Sequence, residues 1–200
     1  MFSLILGLTL FISLHLTREL GLRPGLIDRC GSENSYKTAY SILALLGLGF
    51  IIWGMASAPF IMLWQTKFEL RYISHILMIP AFILIIAGNT PMSYLRTHIR
   101  NPMLAGVTFW GVAHLWSNGD LASVLLFGAM AAWAGFKFVS LGLQHSTKAD
   151  QHNPQPSPQP SPQHSPQLYW DIIAVVAGLI AYTLISQYHG QLFGVGLEYV

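Results

Sequence analysis

The chain has 200 residues, 53% hydrophobic and 9% charged, with a formal net charge of +2. Soluble domains carry about 25% charged residues, so this composition cannot cover a water-facing exterior and places the chain in a bilayer. The small net charge gives no footing for nucleic acid, and a single cysteine, Cys30, excludes an internal disulfide and any cysteine-rich zinc or iron–sulfur site.

A spanning helix takes about 20 largely apolar residues. Residues 1–17 carry no charge and predict a first span. No basic n-region or small-residue cleavage site accompanies it, so it reads as retained. Residues 18–37 read as a loop with a Pro24-Gly25 turn signal. Residues 39–58 supply span two, ending near Pro59, and residues 72–95 supply span three, where Pro80 is a source of a kink. Residues 101–118 and 121–143 form spans four and five, a hairpin turning at Asn118-Gly119-Asp120. Lys137 near the end of span five can snorkel to the interface. Residues 151–167, QHNPQPSPQPSPQHSPQ, form a solvated tether of alternating Pro, Gln and Ser. Residues 169–189 supply span six. The expected architecture is all-α, a polytopic membrane bundle of about six transmembrane helices. It divides into a five-span membrane domain at 1–143, a Pro/Gln/Ser-rich loop at 144–168, and a sixth span with a short tail at 169–200.

Lysine and arginine orient the bundle. Loops after spans one, three and five hold Arg18, Arg23, Arg29, Lys37, Arg96, Arg100 and Lys148, with Lys137 beside them; the other side holds only Lys67 and Arg71. This asymmetry puts the first set in the cytoplasm and both termini outside.

Polar residues within spans are the candidates for chemistry, because hydrocarbon penalises them unless they face a bundle interior or cavity. Of the eight histidines, His145, His152 and His164 belong to the loop and tether, while His98 and His189 sit at interfacial positions. His15, His75 and His114 lie inside or near spans. One such histidine alone is accounted for by a helix–helix hydrogen bond of about 1 kcal/mol. Two on different spans suit a flat haem with an imidazole on either face. Trp110, Gly111 and Asn118 share a face with His114. Gly111 and Gly106 remove bulk beside a macrocycle edge, or equally allow close helix packing. Arg18, one turn beyond His15, can pair with a propionate or anchor the interface. Antiparallel spans set His15 and His114 on the order of 10 Å apart in depth, at about 1.5 Å per residue. His75 is nearer the depth of His114, which leaves a His75/His114 pair or a single ligand open. Asp120 with Asn118 reads as a cap for span five. Ser117 close to His114 invites comparison with a hydrolytic triad, but no carboxylate is placed to complete one. The sequence holds no phosphate loop, no HExxH and no dinucleotide fingerprint.

LFISLHLTR, YKTAYSILALLGL and RNPMLAGVTFWGVAHLWSNGDLASVLLFG resemble the NnrU family of integral membrane proteins, related to the plastid and cyanobacterial 15-cis-zeta-carotene isomerase. The resemblance spans roughly residues 2–143, with the last span weaker, and AHLxxNGDxxSxxLFG is its most specific part. It implies a six-span bundle and a haem b held by histidines, falling here on His15 and His114 with Arg18 and Gly111 beside them. In the isomerase branch, redox change at that iron gates cis–trans isomerisation of a carotene. Two departures favour the NnrU branch, which is associated with nitrite and nitric oxide metabolism. Arg100-Asn101-Pro102 stands where Arg-His-Pro is usual, and Gly111 stands where the isomerase has cysteine. The functions implied are a haem protein of nitrogen-oxide or other redox metabolism, a carotenoid isomerase acting on a hydrophobic small molecule, or a non-catalytic assembly factor for a respiratory complex. All three place the chain in the lipid bilayer, for a bacterium the inner membrane.

Overall fold

The computed structural model describes residues 1–150 and 165–194. Most of the tether expected at 151–167, with His152 and His164, lies outside the described residues, as does the side chain of His145. The described chain is all-α. Its elements are α1 (Phe2–Leu16), α2 (Arg23–Cys30), α3 (Glu33–Ala56), α4 (Tyr72–Asn89), α5 (Tyr94–His98), α6 (Pro102–Ser117), α7 (Leu121–Asp150) and α8 (Leu168–Phe193).

Four of these, α3, α4, α7 over Leu121–Leu143, and α8, are long and apolar enough to cross a membrane. The expected six spans therefore resolve into four full-length helices and two short ones. The short ones, α1 and α6, have 15 and 16 residues. At about 1.5 Å per residue they reach about 22 and 24 Å, short of a hydrocarbon core about 30 Å thick.

Turn chemistry sets the other departures from expectation. The third span ends at Asn89 rather than near residue 95, because Thr90 is extended (φ −85°, ψ 160°) and precedes Pro91. Proline disfavours a helical residue before it. A new short helix, α5, follows, its N-cap Ser93 accepting from the Arg96 amide at 3.2 Å. Pro80 sits within the continuous α4. The loop expected over 18–37 contains α2, begun at Pro24 in its first turn and ended by Gly31 at φ 76°. Proline lacks only an amide that the first turn leaves unused, and glycine takes the left-handed backbone without strain. Ser32 caps α3, accepting from the Ser35 amide at 3.1 Å, so that helix starts earlier than its apolar run.

The chain divides into two compact units, residues 1–66 with 118–130, and residues 67–117 with 131–200. In the first, α1 lies along α3. A Cβ on Gly7 would stand 2.6 Å from the Ile51 amide nitrogen, so only glycine permits this approach of the two backbones. Leu4, Leu8 and Ile51 are buried there with Ala122 of α7. The Asn118-Gly119-Asp120 turn is present as expected, and Asp120 Oδ1 accepts from the Ser123 amide at 3.0 Å, capping α7. The turn is also clipped to an upstream segment. Gly119 O accepts from the Leu63 amide at 2.8 Å, Ile61 O accepts from the Leu121 amide at 2.8 Å, and Met62 faces Asp120 in an antiparallel bridge.

In the second unit α4 is the spine, with α6 and α8 each packed along it. A Cβ on Gly106 of α6 would lie 2.8 Å from the Ala81 carbonyl oxygen of α4. Gly106 therefore serves close packing, the second of the two roles open to it from sequence. Asp171, in the first turn of α8, accepts from the amides of Tyr94 and Leu95 at 2.9 Å each, fastening α8 to α5.

Candidate functional site

The histidines on the long helices of the second unit lie at the start of α4 and in the final turns of α6 and α8. His114 is in the last turn of α6. Its Nδ1 lies 2.9 Å from the carbonyl oxygen of Trp110, one turn back, and the Trp110 ring is 5.2 Å from its own. A carbonyl only accepts, so Nδ1 carries the proton and Nε2 carries the lone pair. This is the tautomer that suits metal binding through Nε2. Gly111, on the preceding turn, is buried.

A second imidazole faces the first. The ring of His189, near the end of α8, has its centroid 6.4 Å from that of His114, with ring planes 29° apart. The Phe193 ring lies 5.0 Å from that of His189, tilted by 53°. Since α6 and α8 both lie along α4 and scarcely touch each other among the described residues, the two rings look across a gap between helices.

His75 of α4 meets a tyrosine instead. Its Nδ1 lies 3.0 Å from the Tyr182 hydroxyl of α8, and Phe82 lines the tyrosine ring at 6.2 Å. Beside it, the Ser74 hydroxyl donates to the Ala113 carbonyl at 2.7 Å and receives the Ser117 hydroxyl at 2.5 Å. These bonds pin the first turn of α4 to the turn of α6 that carries His114. They also give Ser117 a structural role as a helix-to-helix link. His98 is exposed on α5, with Nδ1 2.8 Å from the Tyr94 carbonyl.

His15 belongs to the first unit. Its Nδ1 lies 2.7 Å from the Phe11 carbonyl, its ring stacks on Phe11 at 4.2 Å, and Tyr40 of α3 approaches to 5.5 Å. It thus shares the one-turn-back anchor and tautomer of His114. Arg18 is exposed in the turn that follows α1. Among the described residues no group of three or more His, Cys, Asp or Glu side chains could hold a metal ion.

Sequence reasoning placed His189 at an interface and missed its partner. A signal was available: Tyr182, Ser186 and His189 recur at i, i+4 and i+7, a polar stripe on an apolar helix.

Comparison with known families gives one match, to the family described as "NnrU protein", over residues 3–197. The match runs past residue 143 and takes in α8 with His189, the last span, where the resemblance read from sequence is weaker. No curated protein and no solved structure matches the chain.

Proposed function

The chain belongs to the NnrU family, and from that premise we propose that it is a haem b-binding integral membrane protein serving nitrite, nitric oxide or related redox metabolism. The observation that carries this reading is His114, an imidazole in an apolar helix whose Nδ1 is committed to the Trp110 carbonyl at 2.9 Å. An intramembrane ionisable residue held in a fixed tautomer is costly unless used. The donor set fits haem better than a bare ion. A protein-only zinc site needs three or four ligands, and no such group occurs among the described residues. A macrocycle brings four of its metal's ligands with it and asks the protein only for axial ones.

Each neighbour has a task. The Trp110 carbonyl fixes the proton on Nδ1 and orients the ring, and the Trp110 indole limits its rotation. The Ser74–Ser117 bond holds the last turn of α6 at a set height on α4. The apolar helices keep water out and lower the local dielectric, which strengthens any charge interaction at the site. Bound haem would supply a one-electron couple whose potential follows its axial ligands and burial. The excess of Lys and Arg between α1 and α3, between α4 and α6, and in the later part of α7 supports an inner-membrane orientation with both termini periplasmic.

The test is a reduced-minus-oxidised spectrum of protein purified from haem-replete cells. A b-type band is expected for the wild type and for His98→Ala, and none for His114→Ala. A wild-type protein without that band overturns the proposal.

A further inference from the structure

Resting on the haem reading above, we infer that the second axial ligand is His189 of α8. The argument starts from distance. Two imidazoles on opposite sides of one metal, each with a metal–nitrogen bond of about 2 Å, hold their ring centroids roughly 6–6.5 Å apart. The centroids of His114 and His189 are 6.4 Å apart. Rings in direct face-to-face contact sit closer, as those of Phe11 and His15 do at 4.2 Å.

The helices that carry the pair do not pack directly on one another. Close-packed helices leave no space for a macrocycle. Here α6 and α8 are each seated on α4 and scarcely meet among the described residues, so the gap the imidazoles look across is bounded by α4 on one side. Its walls are aromatic: Trp110 lies 5.2 Å from His114, and Phe193 lies 5.0 Å from His189. Aromatic rings pack against a macrocycle and exclude water from its edge.

His114 and His189 each lie within the last five residues of their helices, counting each end residue. His75, near the start of α4, has its Nδ1 3.0 Å from the Tyr182 hydroxyl and its ring edge-on to that tyrosine, where His114 faces a second imidazole.

The test compares optical and electron-paramagnetic spectra of detergent-purified wild type, His189→Gly and His15→Ala. Wild type is expected to show a low-spin, six-coordinate haem. His189→Gly should keep haem through His114 yet change to a high-spin, five-coordinate spectrum, and added imidazole should restore the low-spin form. That rescue separates a lost ligand from a merely disturbed fold. His15→Ala should leave the low-spin spectrum unchanged. A low-spin spectrum that persists in His189→Gly, or is lost in His15→Ala alone, overturns the assignment while leaving the haem reading intact. Loss of haem from His189→Gly without recovery in imidazole also overturns it. Wild-type protein without haem overturns both.

Discussion

The two units solve the same packing problem with different chemistry. In the first, α1 and α3 meet backbone to backbone at Gly7, with Leu4, Leu8 and Ile51 filling the contact. Much of its polar bonding lies at chain ends and turns: the Ser32 cap, the Asp120 cap, and the Arg23–Glu33–Lys37 ion pairs at 3.0 and 3.1 Å. The second unit also packs helices at glycines, Gly106 on Ala81 and Gly178 on Ile83, and adds polar pairs between helices, with Ser74 on Ser117, His75 on Tyr182 and His114 facing His189. A bilayer gives helices no hydrophobic reason to associate, so small residues and van der Waals contact suffice for a scaffold. Polar groups add little net stability there, so the polar contacts of the second unit are not needed to hold it together.

This contrast can be broken most sharply by exchanging one polar side chain in each unit. His114→Ala should abolish the b-type band, whereas Thr17→Val in the first unit should leave it, read by difference spectroscopy on matched preparations. Packing comes next. Gly7→Leu inserts a side chain where the Ile51 backbone stands, and overfilling a contact costs about 1–3 kcal/mol or more. A clear fall in melting temperature in detergent is expected, and an unchanged melt would show that α1 and α3 do not touch as described. Asp171→Asn weakens the two bonds that join α8 to α5. A partly exposed charged acceptor of this kind contributes about 1 kcal/mol, to be seen as faster proteolysis between α5 and α8 and absent if those amides are capped otherwise. Tyr182→Phe removes the hydroxyl from His75. Interhelical hydrogen bonds in membranes average about 0.6 kcal/mol, so a small loss of stability with full haem content should follow. Glu33→Gln, on exposed ion pairs, should leave melting unchanged.

Much of the architecture was legible because charge-free runs are hard to mistake. The hairpin turn and the Asp120 cap were legible too, since both are local. What escaped was decided by single residues or by distant ones. Pro24 looked like a loop breaker yet starts α2, since a proline is harmless in a first turn. Pro91 ended α4 early through the residue before it. Residues 61–64 extend an apolar stretch and give no hint that their backbone bonds to the turn at 119–121. His189 was set aside for its position near a helix end, although the stripe from Tyr182 pointed inward. Which helix faces which is a non-local fact, and no single sequence window contains it. The anchoring of His15 and His114 on the carbonyl one turn back is local, and neither was read from sequence, because a ring nitrogen's choice of carbonyl depends on a rotamer.

The stitch between residues 61–64 and the turn at 119–121 constrains biogenesis. The first unit is discontinuous, closing with residues 118–130, so the nascent chain emerges with Ile61 and Leu63 awaiting partners that the ribosome has yet to deliver. Translation must run on through α4, α5 and α6 before that seam can shut. A product truncated before residue 118 would leave the backbone groups of Ile61 and Leu63 without these partners.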